Sequence, residues 1–151
     1  MKTTKKYGKK IDLALTTWVK LARAYSSFSK KSSENIWSFE LTQSQFSVLE
    51  TLGHLGQLRI GELCNKMLVS GGNMTLVLDN LEKLGYIERV PNKEDRRAID
   101  VRLTSKGNDL FDKIFKLHAE HITKLMSVLT ADEQKTLGDI LKKLGLAISN
   151  L

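Results

Sequence analysis

One cysteine and one proline stand in 151 residues. With Cys64 alone no internal disulfide can form, which agrees with a reducing cytosol. A single proline, Pro91, is too few for a linker-rich or disordered chain. No apolar run approaches the roughly 18 residues of a membrane span. The start MKTTKKYGKK has the lysines of a signal peptide without an apolar stretch behind it, so a basic arm and a cytoplasmic location are expected. Internal repeats and low-complexity segments are absent. There is also no nucleophile–base pair, no paired carboxylates at a credible site and no glycine-rich phosphate loop, so neither an enzyme nor a cofactor is expected. His118 and His121 sit three residues apart beside Glu120 but lack a further ligand set; interface or surface histidines are expected, and no metal.

What the chain does have is a core and a positive charge. An apolar fraction of 41% suffices for one domain, or for a small domain with an oligomerisation element. Lys and Arg number 24 against 17 Asp and Glu, a net +7 that favours polyanionic partners, nucleic acid foremost.

The most informative stretch runs from Ser70 to Leu103. Ser70 is a good helix N-cap. Met74, Val77, Leu78, Leu81 and Leu84 recur at helical spacing, and Gly85 supplies a left-handed stop. Tyr86 to Val90 reads as a strand, and Ile99, Val101 and Leu103 alternate with Asp100 and Arg102 as in a half-buried second strand. The polar segment between them, PNKEDRR, carries Arg96 and Arg97 at its tip. Upstream, Thr42 and Gln45 form a capping box with Leu41 placed to staple onto Phe46. The helix it opens closes at Gly53 or Gly56. Leu58 to Ile60 is a short strand or an extended entry to a helix over 61–68, whose core face is Ile60, Leu63, Cys64, Met67 and Leu68. In that face Cys64 reads as a small core filler, with a redox sensor as the alternative. Two short helices around a tight turn, then a hairpin with a basic tip, outline a winged helix-turn-helix.

Long helices flank this unit. The first spans about Lys9–Lys31, with Ile11, Leu15, Trp18, Ala22 and Tyr25 on one stripe, and is followed by a polar loop over 32–40. After it come a helix capped by Thr104, reaching about Leu129, and another capped by Thr130 with Glu133. The last keeps a seam of Leu137, Ile140, Leu141, Leu144, Ile148 and Leu151. These faces exceed what a small core absorbs, so the two termini are expected to build a shared dimer interface. The expected architecture is therefore mainly α, one domain over 1–151. It comprises a winged-helix DNA-binding part over about 42–103, with a small β-hairpin wing, and dimerisation helices over about 9–31 and 104–151. A two-fold dimer would place two recognition helices in successive major grooves of a pseudo-palindromic operator.

The chain resembles the MarR family of bacterial transcriptional regulators. The resemblance is carried by Ile60-Gly-Glu-Leu63, by NLEKLGYIER over 80–89, by Asp95-Arg-Arg97 and by Leu103-Thr-Ser-Lys-Gly107. It extends from about Lys9 to Leu151. It implies an α-rich homodimer, usually a repressor, whose DNA affinity is lowered by a small ligand or by oxidation. The SGGNMT start of the recognition helix resembles the branch that senses organic peroxides, quinones and related phenolic electrophiles. The reactive cysteine of its peroxide sensors, near the start of the first helix, is absent here.

On the recognition helix Ser70, Gly72, Asn73, Thr75, Leu76 and Asn80 fall off the core face. Asparagine can bond adenine bidentately, and Thr or Leu can touch a thymine methyl. Gly71 and Gly72 allow a close approach to phosphate, or simply fit a tight turn. Asp79 and Glu82 are expected to face away from phosphates. Arg96 and Arg97 are placed to enter a minor groove, the alternative being a solvated charged turn. By resemblance Asp95 orders the wing by pairing with an arginine, Arg97 matches the inserted residue, and Lys93 contacts phosphate. The family's ligands sit between dimer helices and reader, a region that Trp18, Tyr25, Trp37, Phe39, Phe46 and His54 could line; plain core packing is the alternative. Double-stranded DNA, a second copy and a small-molecule effector are thus the expected partners, with no membrane. The competing expectation is an architectural, ligand-independent DNA-binding protein.

Overall fold

The computed structural model describes residues 7–67, 74–92, 94–95 and 97–149. They form α1 (Lys9–Trp37), α2 (Gln43–Leu55), β1 (Leu58–Arg59), α3 (Ile60–Lys66), α4 (Met74–Lys83), β2 (Ile87–Pro91), β3 (Ile99–Leu103), α5 (Ser105–Met126) and α6 (Ala131–Ile148). Three antiparallel strands lie in the order β1-β3-β2. The protein is mainly helical, with a small sheet.

Local chemistry sets most helix ends. Thr42 Oγ1 accepts from the Gln45 amide while Gln45 Oε1 accepts from the Thr42 amide, so two orphan donors are satisfied reciprocally. Thr104 and Thr130 cap α5 and α6 through their hydroxyls, Thr130 within a second capping box. Gly56 closes α2, and Gly85, at φ 75°, ends the turn after α4. The flanking Tyr86 amide reaches back to the Leu81 carbonyl at 2.9 Å.

Helix α2 is the central element, with Phe46, Val48, Leu49 and Leu52 buried, and it packs on α1, α3, α4, α5 and β3. Leu63 from α3, Leu78 and Leu81 from α4, Ile87 from β2, Val101 from β3 and Ile114 from α5 complete the core. Each such side chain contributes about 1.5–3 kcal/mol by leaving water. Leu41 and Phe46, the expected staple, are both buried.

Several boundaries and faces differ from expectation. Helix α1 does not stop near Lys31 but runs through the segment expected as a loop to Trp37. One side of that stretch faces protein rather than water: Ser33 Oγ donates to Gln43, Asn35 bonds His118, and Ile36 is fully buried. Helix α3 ends at Lys66, and Cys64 is exposed, not core. Its buried residue is Leu63; Ile60 and Met67 lie three before and four after it on that face, and Cys64 is about 100° round the helix. Leu84 is exposed beyond the end of α4. Strand β3 breaks the expected alternation, since Ile99 is exposed and Asp100 buried. Ser70, Leu68 and Leu151 lie outside the described residues.

Helix α6 has no buried residue, and Leu137, Ile140, Leu141 and Leu144 face solvent. Ile11, Leu15, Trp18 and Tyr25 are open on α1.

Candidate nucleic-acid interface

Burying Leu78 and Leu81 turns Thr75, Leu76, Asp79 and Asn80 outward along one side of α4. Three of these, Thr75, Leu76 and Asn80, are apolar or neutral hydrogen-bonding groups of the kind suited to base edges. Ser70, Gly72 and Asn73 lie outside the described residues. The carboxylate of Asp79 is drawn back to Arg89 on β2, whose Nη2 lies 2.6 Å away, and Glu82 bonds the same guanidinium.

Beside α4 stands the β2–β3 hairpin, paired from Ile87↔Leu103 to Pro91↔Ile99. Its turn is closed by the Asn92 amide donating to Ala98 O (3.0 Å) and the Ala98 amide donating to Asp95 O (2.9 Å). Asp95 Oδ1 accepts from the Arg97 amide at 3.0 Å and lies 3.7 Å from Arg97 Nε. The Arg97 side chain is 94% exposed at the tip, free to extend into a groove. Lys93 and Arg96 lie outside the described residues.

Sequence reasoning missed the root of this wing. Asp100 accepts from Gln57 Nε2 at 2.7 Å and from Asn92 Nδ2 at 2.9 and 3.0 Å. The hydrogen bonds from Asn92 and then Gln57 hold its carboxyl below the usual range. Asn92 Oδ1 in turn accepts from the amides of Glu94 and Asp95 and from Arg59 Nη2. The available signal was a carboxylate between Ile99 and Val101 in a strand, with an asparagine at the other foot of the hairpin.

The six aromatic residues expected near a ligand are dispersed. Trp18, Tyr25 and Trp37 are more than 60% exposed on α1. Phe46 is core, its ring 4.7 Å from that of His118. His54 meets Phe111 and Phe115 edge-on. Only Phe39 of the six lines the cleft of about 480 Å³ between the end of α1 and α5, with Leu110, Ile114 and Leu117. His118, expected at a surface or interface, is buried inside the protomer with Nδ1 2.8 Å from Asn35 Oδ1. His121 Nε2 lies 3.2 Å from Lys31 O.

An exposed polar helix face beside a hairpin with an arginine tip is the working surface of a winged-helix DNA-binding protein. Residues 41–99 match the MarR family profile. Over 141 residues the chain is 33% identical to the HTH-type transcriptional regulator YkoM of Bacillus subtilis, covering 93% of this chain and 92% of that one. It is 33% identical over 133 residues to the HTH-type transcriptional regulator MhqR of the same organism, covering 88% and 92%. A crystal structure of an E. coli MarR mutant complexed with operator DNA superposes with a TM-score of 0.75 at 27% identity, covering 91% and 99%. The chain belongs to the MarR family: it is a DNA-binding transcriptional regulator and not an enzyme. Among the described residues no helix is long and apolar enough to cross a membrane.

Proposed function

We propose that the protein acts as a homodimeric repressor whose hold on a pseudo-palindromic operator is loosened by a small phenolic or electrophilic ligand, or by an oxidative signal. The observation that carries the dimer is α6. A helix with no buried residue, yet with Leu137, Ile140, Leu141 and Leu144 at core spacing, has its apolar face made for another surface. The open apolar residues of α1 offer a second such surface, so the reader spans about 42–103 and the flanking helices pair.

In this reading Ser70, Gly72, Asn73, Thr75, Leu76 and Asn80 meet the major groove. Arg97, oriented by Asp95, enters the minor groove, with Arg96 and Lys93 contributing positive charge. An effector that lowers affinity 5- to 150-fold needs only about 1–3 kcal/mol of preference between two dimer states.

The test is fluorescence anisotropy on the protein's own upstream promoter DNA against scrambled DNA at physiological salt. Specific regulation gives a preference of about 10³ or more at two subunits per site, and release by one member of a phenol, quinone and oxidant panel. Equal, salt-sensitive binding to both DNAs supports the architectural alternative instead.

A further inference from the structure

We propose that Asp100 and Asn92 are positioning residues for DNA binding, fixing through one hydrogen-bond relay the direction in which the wing presents Arg97. This rests on the reading above that Arg97 enters the minor groove.

The relay has a fixed polarity. An ionised carboxylate only accepts, so Asp100 obliges Asn92 to turn its NH2 toward β3. The Asn92 carbonyl oxygen then necessarily points the other way, into the wing. There it collects the amides of Glu94 at 2.9 Å and Asp95 at 2.8 Å, an Asx-type turn, together with Arg59 Nη2 at 3.3 Å. Asp95, placed by that turn, holds the Arg97 amide at 3.0 Å. At the other end Gln57, just past α2, anchors Asp100 at 2.7 Å. The chain of contacts therefore runs from Gln57, two residues beyond the core helix, through Asp100, Asn92 and Asp95 to Arg97.

Asp100 is 5% exposed, and a valine there would remove the cost of burying a carboxylate but leave the Gln57 and Asn92 amides without their acceptor. What an aliphatic residue lacks is the ability to orient Asn92. Asparagine at 100 would lack it too: its one oxygen can stand in for Oδ2, which accepts from Gln57 and Asn92, but its NH2 then replaces Oδ1, the acceptor of the 2.9 Å bond, and opposes the Asn92 NH2. Exchanging the two residues repairs the relay. With Asn92→Asp added to Asp100→Asn, the introduced amide at 100 accepts from Gln57 and donates to the carboxylate at 92, which still accepts from the turn and from Arg59.

The experiment is operator binding by anisotropy, with thermal melts, for the wild type, Asp100→Asn, the Asn92→Asp/Asp100→Asn exchange, Arg97→Ala, and Asp100→Asn/Arg97→Ala. We expect Asp100→Asn to weaken binding about tenfold, the exchange to restore most of that loss, and Asp100→Asn to add nothing once Arg97 is gone. If Arg97→Ala binds like the wild type, the minor-groove reading fails and this proposal fails with it. If Arg97→Ala weakens binding while Asp100→Asn is silent, or adds its full effect in the double variant, the minor-groove reading stands and the positioning role is overturned. Should Asp100→Asn not fold, Asn92→Ala at the half-buried wing root takes its place in the same cycle with Arg97→Ala.

Discussion

Arg89 on β2 and Asp79 on α4 are joined Nη2 to Oδ1 at 2.6 Å, so the strand of the wing grips the helix it stands beside. Glu82 completes the grip by accepting from both the Arg89 side chain and its amide. One guanidinium thereby turns two carboxylates away from the open side of α4. Replacing it as Arg89→Met is expected to cost about 1 kcal/mol of stability in a urea melt, because the carboxylates are partly exposed and screened. Operator affinity should fall several-fold as two negative charges come free. Arg89→Lys should recover only part of that, since an ammonium cannot fork between two acceptors. Unchanged affinity in Arg89→Met would show that the carboxylates stay clear of phosphate unaided.

Gly107 is a test of the junction between wing and α5. A Cβ at that position would stand 1.9 Å from the Tyr86 carbonyl oxygen, a backbone atom that cannot rotate away. That same oxygen accepts the Thr104 amide at 3.1 Å. Gly107→Ala is expected to destabilise the protein by about 1–3 kcal/mol. A thermal scan in which the midpoint does not fall would show that the junction yields more easily than its packing implies.

Leu141 is 41% exposed in the protomer. For a monomer Leu141→Asp would be a nearly neutral surface change. In the proposed dimer it places an unpaired carboxylate in the apolar seam and should convert the dimer to monomer in sedimentation analysis. A dimer that survives the change puts the interface elsewhere.

His118 supplies a pH signature. Burial, together with the nearby His121, holds its imidazole below the ordinary value of 6.5, and its packed neighbours Asn35 and Phe46 are uncharged. The native state thus favours the neutral ring, which donates to Asn35. The unfolded chain takes up the proton at higher pH, so the stabilisation is complete above 6.5 and is lost as pH falls through the lowered native value. The stability difference between the wild type and His118→Phe should shrink between about pH 7 and pH 5. A difference that stays constant over that range would mean that His118 does not titrate between the two states.

The features legible in the sequence are those a few neighbouring residues decide by themselves. Thr42 with Gln45, Thr130 with Glu133, and Gly85 each mark a helix end through contacts within one turn, and each is found where the sequence places it. The features that were not legible depend on what a distant segment brings. Ser33 and Asn35 look like loop residues until Gln43 and His118 arrive as polar partners. Cys64 looks buried when the apolar face of α3 is taken one residue too wide. Asp100 looks solvent-facing because its two partners come from beyond α2 and from the far foot of the hairpin. The candidate site divides the same way. Arg97 and Asp95 could be named from the sequence, whereas Gln57, Asn92 and Asp100, which meet only in the folded chain, could not.

The two-residue strand β1 pairs with β3, the last strand in the chain, through Leu58↔Val101 and Arg59↔Asp100. The polypeptide therefore leaves the sheet at one edge and comes back beside its own point of departure, enclosing α3, α4, β2 and the wing in a closed loop. Closing that clasp costs loop-closure entropy that opening returns, so it holds only while the strand pairing and the buried Val101 offset that cost. A loop fastened at its neck has one place of attachment: the segments it encloses leave and rejoin the sheet side by side, at Leu58–Arg59 and at Asp100–Val101.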